Sequence, residues 1–130
     1  WLASLLRAEP VQINGDGETS RDFCFIANVV QANLLAATTD NHAALNTAYN
    51  VAVGERTTLN ELFQALQTAL RRKDPSLREV QPVYGAFRAG DVRHSLADIS
   101  KAQQLLGYAA THRLEHGLEL AMDWYRRNVV

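Results

Sequence analysis

Apolar residues recur at helical spacing most clearly over 58–72, where Leu59, Leu62, Phe63, Leu66 and Leu70 fall on one face. Thr58 and Glu61 form a capping-box pattern at the start of that run, and Arg71, Arg72 and Lys73 complement the negative end of the helix. Pro75 closes it. The same period predicts a helix over 28–37, on Val29, Val30, Asn33, Leu34 and Ala37. A last helix, from about Arg113 to Asn128, is expected to bury Leu114, Leu118, Ala121, Met122 and Tyr125. Between them a short helix is capped by Asp98, runs through Leu106 and stops at Gly107. The opening Trp1 to Arg7 is patterned as a helix with no capping residue before it, as expected of a chain cut from something larger or of an arbitrary boundary.

Period-two patterns are shorter. Val11-Gln12-Ile13 alternates like a strand and runs into Asn14-Gly15-Asp16-Gly17, a tight-turn sequence. Asp22-Phe23-Cys24-Phe25-Ile26 is mostly apolar and predicts a well-buried second strand. After a polar loop over 38–47, Ala48 to Val53 is rich in β-formers and ends at Gly54, so strand-helix-strand is the natural reading. Val80 to Tyr84 predicts a strand or extended segment, followed by a loop from Gly85 to Val92 that holds two glycines. The fold class is α/β, mainly helices with a few short strands.

Composition narrows the function classes. A chain of 130 residues is the size of one domain, and 47% hydrophobic with 21% charged residues argues against disorder. A net charge of -1 gives no reason to expect nucleic acid or an anionic membrane as partner. No apolar run approaches the roughly 18 residues of a spanning helix, and no signal pattern opens the chain, so a cytoplasmic location is expected. Cys24 is the only cysteine, which excludes an internal disulfide and a multi-thiolate zinc site; its expected role is a small buried apolar residue.

Candidate chemistry lies at two arginines and a carboxylate. Arg21 stands between a glycine-rich turn and an apolar segment, and Arg88 stands in the loop flanked by Gly85 and Gly90. A guanidinium so placed can hold phosphate oxygens through paired, charge-assisted hydrogen bonds, and a glycine lets a ligand approach the backbone closely. Asp91 can accept hydrogen bonds from both hydroxyls of a ribose. The plainer alternative is surface ion pairing, Arg21 with Asp22 and Arg93 with Asp91, of little worth if exposed.

Three stretches carry a resemblance: Asn14 to Ile26 (NGDGETSRDFCFI), Tyr49 to Leu59 (YNVAVGERTTL) and Phe87 to Ser95 (FRAGDVRHS). They resemble the C-terminal half of extended short-chain dehydrogenase/reductases, and within them the bacterial UDP-N-acetylglucosamine 4-epimerases. The likeness covers essentially the whole chain in order; the Gly-Asp-Val-Arg-His-Ser run points to that subgroup, and Arg-Asp-Phe is shared by the wider family of epimerases, dehydratases and decarboxylases. It implies a substrate-holding, C-terminal part of an extended Rossmann-type epimerase over 1–130, with the NAD-binding Rossmann half absent. It further implies that Gln12, Ile13 and Asn14 line the uracil, that Arg21 and Arg88 hold the diphosphate, that Asp91 binds the ribose, and that Arg56 is a further phosphate or uridine contact. His94 and Ser95 are expected to shape the loop. Ala27, Ala110 and His116 depart from the family pattern, which puts local helix capping in doubt more than binding.

In the resembled family a tyrosine acts as base, with a lysine four residues later. The only lysines here are Lys73 and Lys101, preceded at that spacing by Ala69 and Ala97, so no such pair exists and no catalytic residue is assigned. The seven glycines form no dinucleotide fingerprint either. The resemblance therefore implies a UDP-sugar ligand, NAD in the parent enzyme but none on this chain alone, a homodimeric parent in polysaccharide biosynthesis, and an isolated chain that is inactive. Separated from the parent's sheet, the Ala48 to Val53 strand and the helix before it are expected to leave an edge and an apolar face exposed, and the chain to self-associate. Rival readings are a nucleotide-sugar dehydratase or decarboxylase, a non-catalytic UDP-sugar-binding module, and a purely structural domain.

Overall fold

The computed structural model describes residues 1–128. In chain order the elements are α1 (Leu2–Leu6), β1 (Val11–Asn14), β2 (Ser20–Arg21), α2 (Ile26–Thr38), β3 (Thr57–Thr58), α3 (Leu59–Lys73), β4 (Pro82–Gly85), α4 (Ser100–Leu106) and α5 (Leu114–Asn128), with a 3-10 turn at His42–Ala44 in the polar loop. No helix among them is long and apolar enough to cross a membrane.

The main core forms where β1 meets α3. Alternation along β1 sends Val11 and Ile13 inward and leaves Gln12 and Asn14 outside. Phe63, Leu66, Ala69 and Leu70 of α3 close over them with Leu5 and Met122. The capping box is formed as read: Thr58 Oγ1 accepts from the Glu61 amide at 3.1 Å and Glu61 Oε2 accepts from the Thr58 amide at 2.7 Å. Trp1 is tied down, its indole N–H donating to the Gln12 carbonyl at 3.0 Å and its ring meeting Phe63 edge-on. β1 pairs in parallel with β4, Asn14 opposite Gly85, so the two strands deliver the following turn and loop to the same end.

A second, smaller core joins α2, α4 and the segment around Ala52 through Ala32, Ile99, Ala102 and Tyr108. The Tyr108 hydroxyl donates to the Ala52 carbonyl at 2.6 Å, and burial pushes its pKa up to about 12. Asn28, fully buried, donates to the His112 carbonyl at 2.7 Å and accepts from the Thr111 and His112 amides at 3.0 and 3.1 Å. One side chain thereby satisfies three backbone groups of a loop that has no ladder to satisfy them. Gly107 stops α4 in the left-handed conformation, as its position implied. Asp98 caps less directly than expected: its carboxylate accepts from the Ser100 amide at 2.9 Å, while Ile99 holds the N-cap position.

Three expectations are corrected. Residues 22–25 form no strand; the strand is Ser20–Arg21, antiparallel to Thr57–Thr58, and Ile26 already begins α2. The reason is Asp22, whose carboxylate accepts from the Val53 and Gly54 amides at 3.0 and 2.9 Å and turns the chain out of the ladder. Ala48 to Val53 is irregular among the described residues. It is held by side chains instead, Tyr49 Oη to the Ala44 carbonyl at 2.7 Å and Asn50 Nδ2 to the Asp98 carbonyl at 3.1 Å, because no neighbouring strand offers it a ladder. Cys24 is only partly buried, on the wall of an open apolar groove between 23–26 and α5. The apolar face of α2, by contrast, is exposed as expected: Val30 and Leu34 face outward, with Ile26 beside them, and the helix buries Asn28 and Ala32. That helix also begins without a side-chain cap, but its N-cap is Phe25, and Ala27, taken from the sequence as the cap position, lies inside the helix.

Candidate functional site

Two of the candidate residues, Arg21 and Asp91, meet where β2 is flanked on both sides. Ser20 pairs with Thr58 on one side and bridges to His94 in parallel on the other. The Ser20 amide donates to the Arg93 carbonyl at 2.9 Å, the Ser95 amide donates to the Ser20 carbonyl at 3.1 Å, and Ser20 Oγ meets His94 Nδ1 at 2.9 Å. The loop after β4 is thus stitched along β2, which brings residues some 70 positions apart into contact. Arg21 and Asp91 form an ion pair there, Nη2 to Oδ1. Arg21 Nη1 donates to the Ser20 carbonyl at 2.8 Å and reaches the Arg93 carbonyl at 3.5 Å.

These bonds leave capacity for a ligand. A guanidinium has five N–H groups, so Nε–H and one Nη2–H of Arg21 remain, and Asp91 Oδ2 has no hydrogen bond among the described residues. Asp91 is held relative to Arg88 by its amide, which donates to the Arg88 carbonyl at 3.2 Å across Gly90, itself at φ 77°. Arg88 is exposed and makes no ion pair among the described residues. Nothing crowds the place where a Gly90 Cβ would stand, so this backbone is open to a ligand. Arg56 is exposed, adjacent to Thr57, the ladder partner of Arg21, and is likewise without an ion pair among the described residues.

The three residues assigned to a base sit at the end of β1, and they are not alike. Gln12 and Asn14 are exposed, whereas the Ile13 side chain is fully buried in the main core, so only its main chain can face a ligand. Gln12 Nε2 lies 2.7 Å from where a Gly85 Cβ would stand, so the opening at Gly85 is already taken by this amide.

Neither plain ion pair expected from sequence neighbours forms. Asp22 clamps the 53–54 backbone, and Arg93 pairs with Asp16, Nη2 to Oδ2 at 2.7 Å and Nη1 to Oδ1 at 3.2 Å. Those Arg93 hydrogen bonds, with the Glu18 amide, hold the Asp16 carboxyl below the usual carboxylate range. The Arg93 guanidinium also lies 5.4 Å over the Phe87 ring, and Phe87 occupies the space left by the missing Cβ of Gly15. Asn60, at the start of α3, completes the frame: Nδ2 donates to the Asp16 carbonyl at 3.2 Å and to Glu18 Oε1 at 2.8 Å, and Oδ1 accepts from Tyr84 Oη at 2.9 Å. Sequence reasoning missed Asp16, Asn60 and Phe87, for which the glycines at 15 and 17 were the only available signal, since each makes room for one of these side chains. Among the described residues the arrangement offers unpaired cations at Arg88 and Arg56 and an unengaged oxygen on Asp91, with Asp16 and Glu18 taken up by Arg93 and Asn60; it can bind a polar anion.

Comparison with known proteins decides the family. Residues 3–121 match the family described as GDP-mannose 4,6 dehydratase. The chain belongs to that family. Among its relatives are a putative UDP-glucose 4-epimerase of Methanocaldococcus jannaschii, 27% identical over 98% of this chain and 38% of the relative, and a dTDP-glucose 4,6-dehydratase of Xanthomonas campestris, 30% identical over 98% of this chain and 36% of the relative. The UDP-glucose 4-epimerase of Thermotoga maritima, solved with UDP-glucose, superposes with a TM-score of 0.83 at 37% identity, over 99% of this chain and 38% of that one. A UDP-N-acetylglucosamine 4-epimerase of Methanobrevibacter ruminantium, solved with UDP-N-acetylmuramic acid, gives 0.82 at 31% identity over 97% of this chain and 37% of that one. The fold is that of a C-terminal portion of a Rossmann-type epimerase, and the chain spans less than two fifths of the length of these family members.

Proposed function

We propose that this chain is the UDP-sugar-binding portion, residues 1–130, of an NAD-dependent nucleotide-sugar 4-epimerase acting on UDP-N-acetylglucosamine and its galacto isomer. The observation that carries this reading is the meeting of Arg21 and Asp91 on one rim, with Arg88 in the same turn. Arg21 and Arg88 grip the diphosphate and Asp91 accepts from the ribose hydroxyls. Gln12, Asn14 and the main chain at Ile13 receive the uracil, and Arg56 adds positive charge beside Arg21.

NAD supplies the hydride chemistry in this reading, and these 130 residues do not fit it. They include no tyrosine four residues before a lysine, and Gly15 and Gly17, the only close glycine pair, are packed by Phe87 and Asn60. The chain's own task is to fix the nucleotide while the sugar stays free to turn, a use of remote binding energy to position the reacting group. Solved family members with both UDP-glucuronic acid and NAD, such as the UDP-glucuronic acid 4-epimerase of Bacillus cereus, support the pairing of ligand and cofactor.

Calorimetric titration of UDP tests the assignment, in this chain and in a protein that joins it to a dinucleotide-binding half. Arg21→Ala and Arg88→Ala each weaken binding by about tenfold or more, the scale of a lost charge-assisted contact. Affinity like wild type in both variants rejects the phosphate roles. A second reading, a nucleotide-sugar dehydratase, is favoured by the dTDP-glucose 4,6-dehydratase relative. Product analysis with UDP-N-acetylglucosamine and UDP-glucose separates the two, and UDP binding without any turnover by the joined protein marks a non-catalytic binding module.

A further inference from the structure

The loop of residues 86–96 is exposed almost throughout, yet it carries Arg88 and Asp91. Its contacts include the stitching to β2, the Arg21 pair, and one arrangement with no other evident purpose: Arg93 chelated on Asp16 and seated over Phe87, whose ring fills the gap at Gly15. We infer that Asp16, Arg93 and Phe87 form a positioning latch that holds the nucleotide-binding loop against the turn after β1 before ligand arrives.

The chemistry of each member fits that role. Arg93 commits one N–H of each terminal nitrogen to the two oxygens of Asp16, which braces it against the turn after β1. Only a guanidinium fork makes the two-oxygen contact while its carbon stays 5.4 Å over a ring; a lysine ammonium offers no such fork. Asp16 is a negative charge beside a proposed diphosphate site, an unfavourable choice on electrostatic grounds alone, which makes sense if its task is to hold Arg93. Asp16 is in turn fixed from behind by Asn60 on α3. Because both Asp16 and Arg93 are about half exposed, the latch adds little to global stability. Its value is pre-organisation: a loop already in its bound shape loses less conformational freedom on binding.

The inference rests on the nucleotide reading, and the experiment keeps the two apart. UDP is titrated by NMR into the wild-type chain and into Asp16→Asn, Arg93→Lys and Phe87→Leu, with amide hydrogen exchange over 86–95 and urea midpoints measured without ligand. The latch predicts faster exchange in that loop, unchanged urea midpoints, and UDP binding weakened by about fivefold to tenfold in all three variants, the scale of lost pre-organisation. Simple electrostatics predicts the opposite sign for Asp16→Asn, which removes a negative charge, and no change for Arg93→Lys; that pattern overturns the latch. Loosened exchange with unaltered UDP affinity overturns it as well. Failure of the wild-type chain to bind UDP, at concentrations where Arg88→Ala also fails, removes the nucleotide reading and the latch with it.

Discussion

Helices α2 and α3 are of similar length and both carry an apolar stripe, but their fates differ. In α3 the stripe is sealed, with Phe63 and Leu70 each 1% exposed, and a capping box fixes the first turn. In α2 the stripe faces solvent, with Ile26 at 63% and Leu34 at 60%, no side-chain cap, and a buried asparagine on the opposite side. Periodicity therefore marks a surface that wants cover without saying what covers it. For α3 the cover is local: α1, β1 and α5 all lie in the same small core. For α2 the polar Asn28 wins the inward position, because an unsatisfied loop backbone at Thr111 and His112 costs more than an exposed leucine.

The sharpest way to break this contrast is to truncate one residue on each stripe. Phe63→Ala is expected to cost about 3–5 kcal/mol in urea unfolding, and Leu34→Ala to stay within about 0.5 kcal/mol of wild type. Equal losses show that the α2 stripe is covered in solution. Next in size is association: we expect the chain to self-associate, light-scattering mass rising with concentration, and Val30→Asp with Leu34→Asp to abolish the rise. A clean wild-type monomer across the series refutes that expectation.

The smallest effect concerns the caps. Thr58→Ala is expected to cost about 1 kcal/mol. Hydrogen bonds from the Thr58 amide and hydroxyl hold the Glu61 carboxyl below its ordinary value of 4.5. A folded-state pKa below the unfolded one stabilises the fold fully above the unfolded value and ceases to do so as pH falls through the folded one. Urea titrations of wild type and Glu61→Gln should thus differ near neutral pH and converge as the pH falls through the lowered folded-state value. A constant gap shows that Glu61 acts through something other than its charge.

Signals that act within one turn of chain were legible in the sequence. The α3 capping box, the basic end of that helix, the Gly107 stop and the alternation of β1 depend on neighbours a few residues apart, and each stands where its spacing implied. The contact of Arg21 with Asp91 follows from no local rule, since the two lie 70 positions apart; it depends on β2 being flanked by both Thr58 and His94. Only tertiary structure could decide that Ile13 turns its side chain away from the rim, that Asp22 breaks a promising apolar strand to hold 53–54, and that Arg93 chooses Asp16 over Asp91. The physical reason is common to all three: a charge or a backbone amide takes the best partner that folding brings within about 3 Å, and the one-dimensional order of residues does not record that distance.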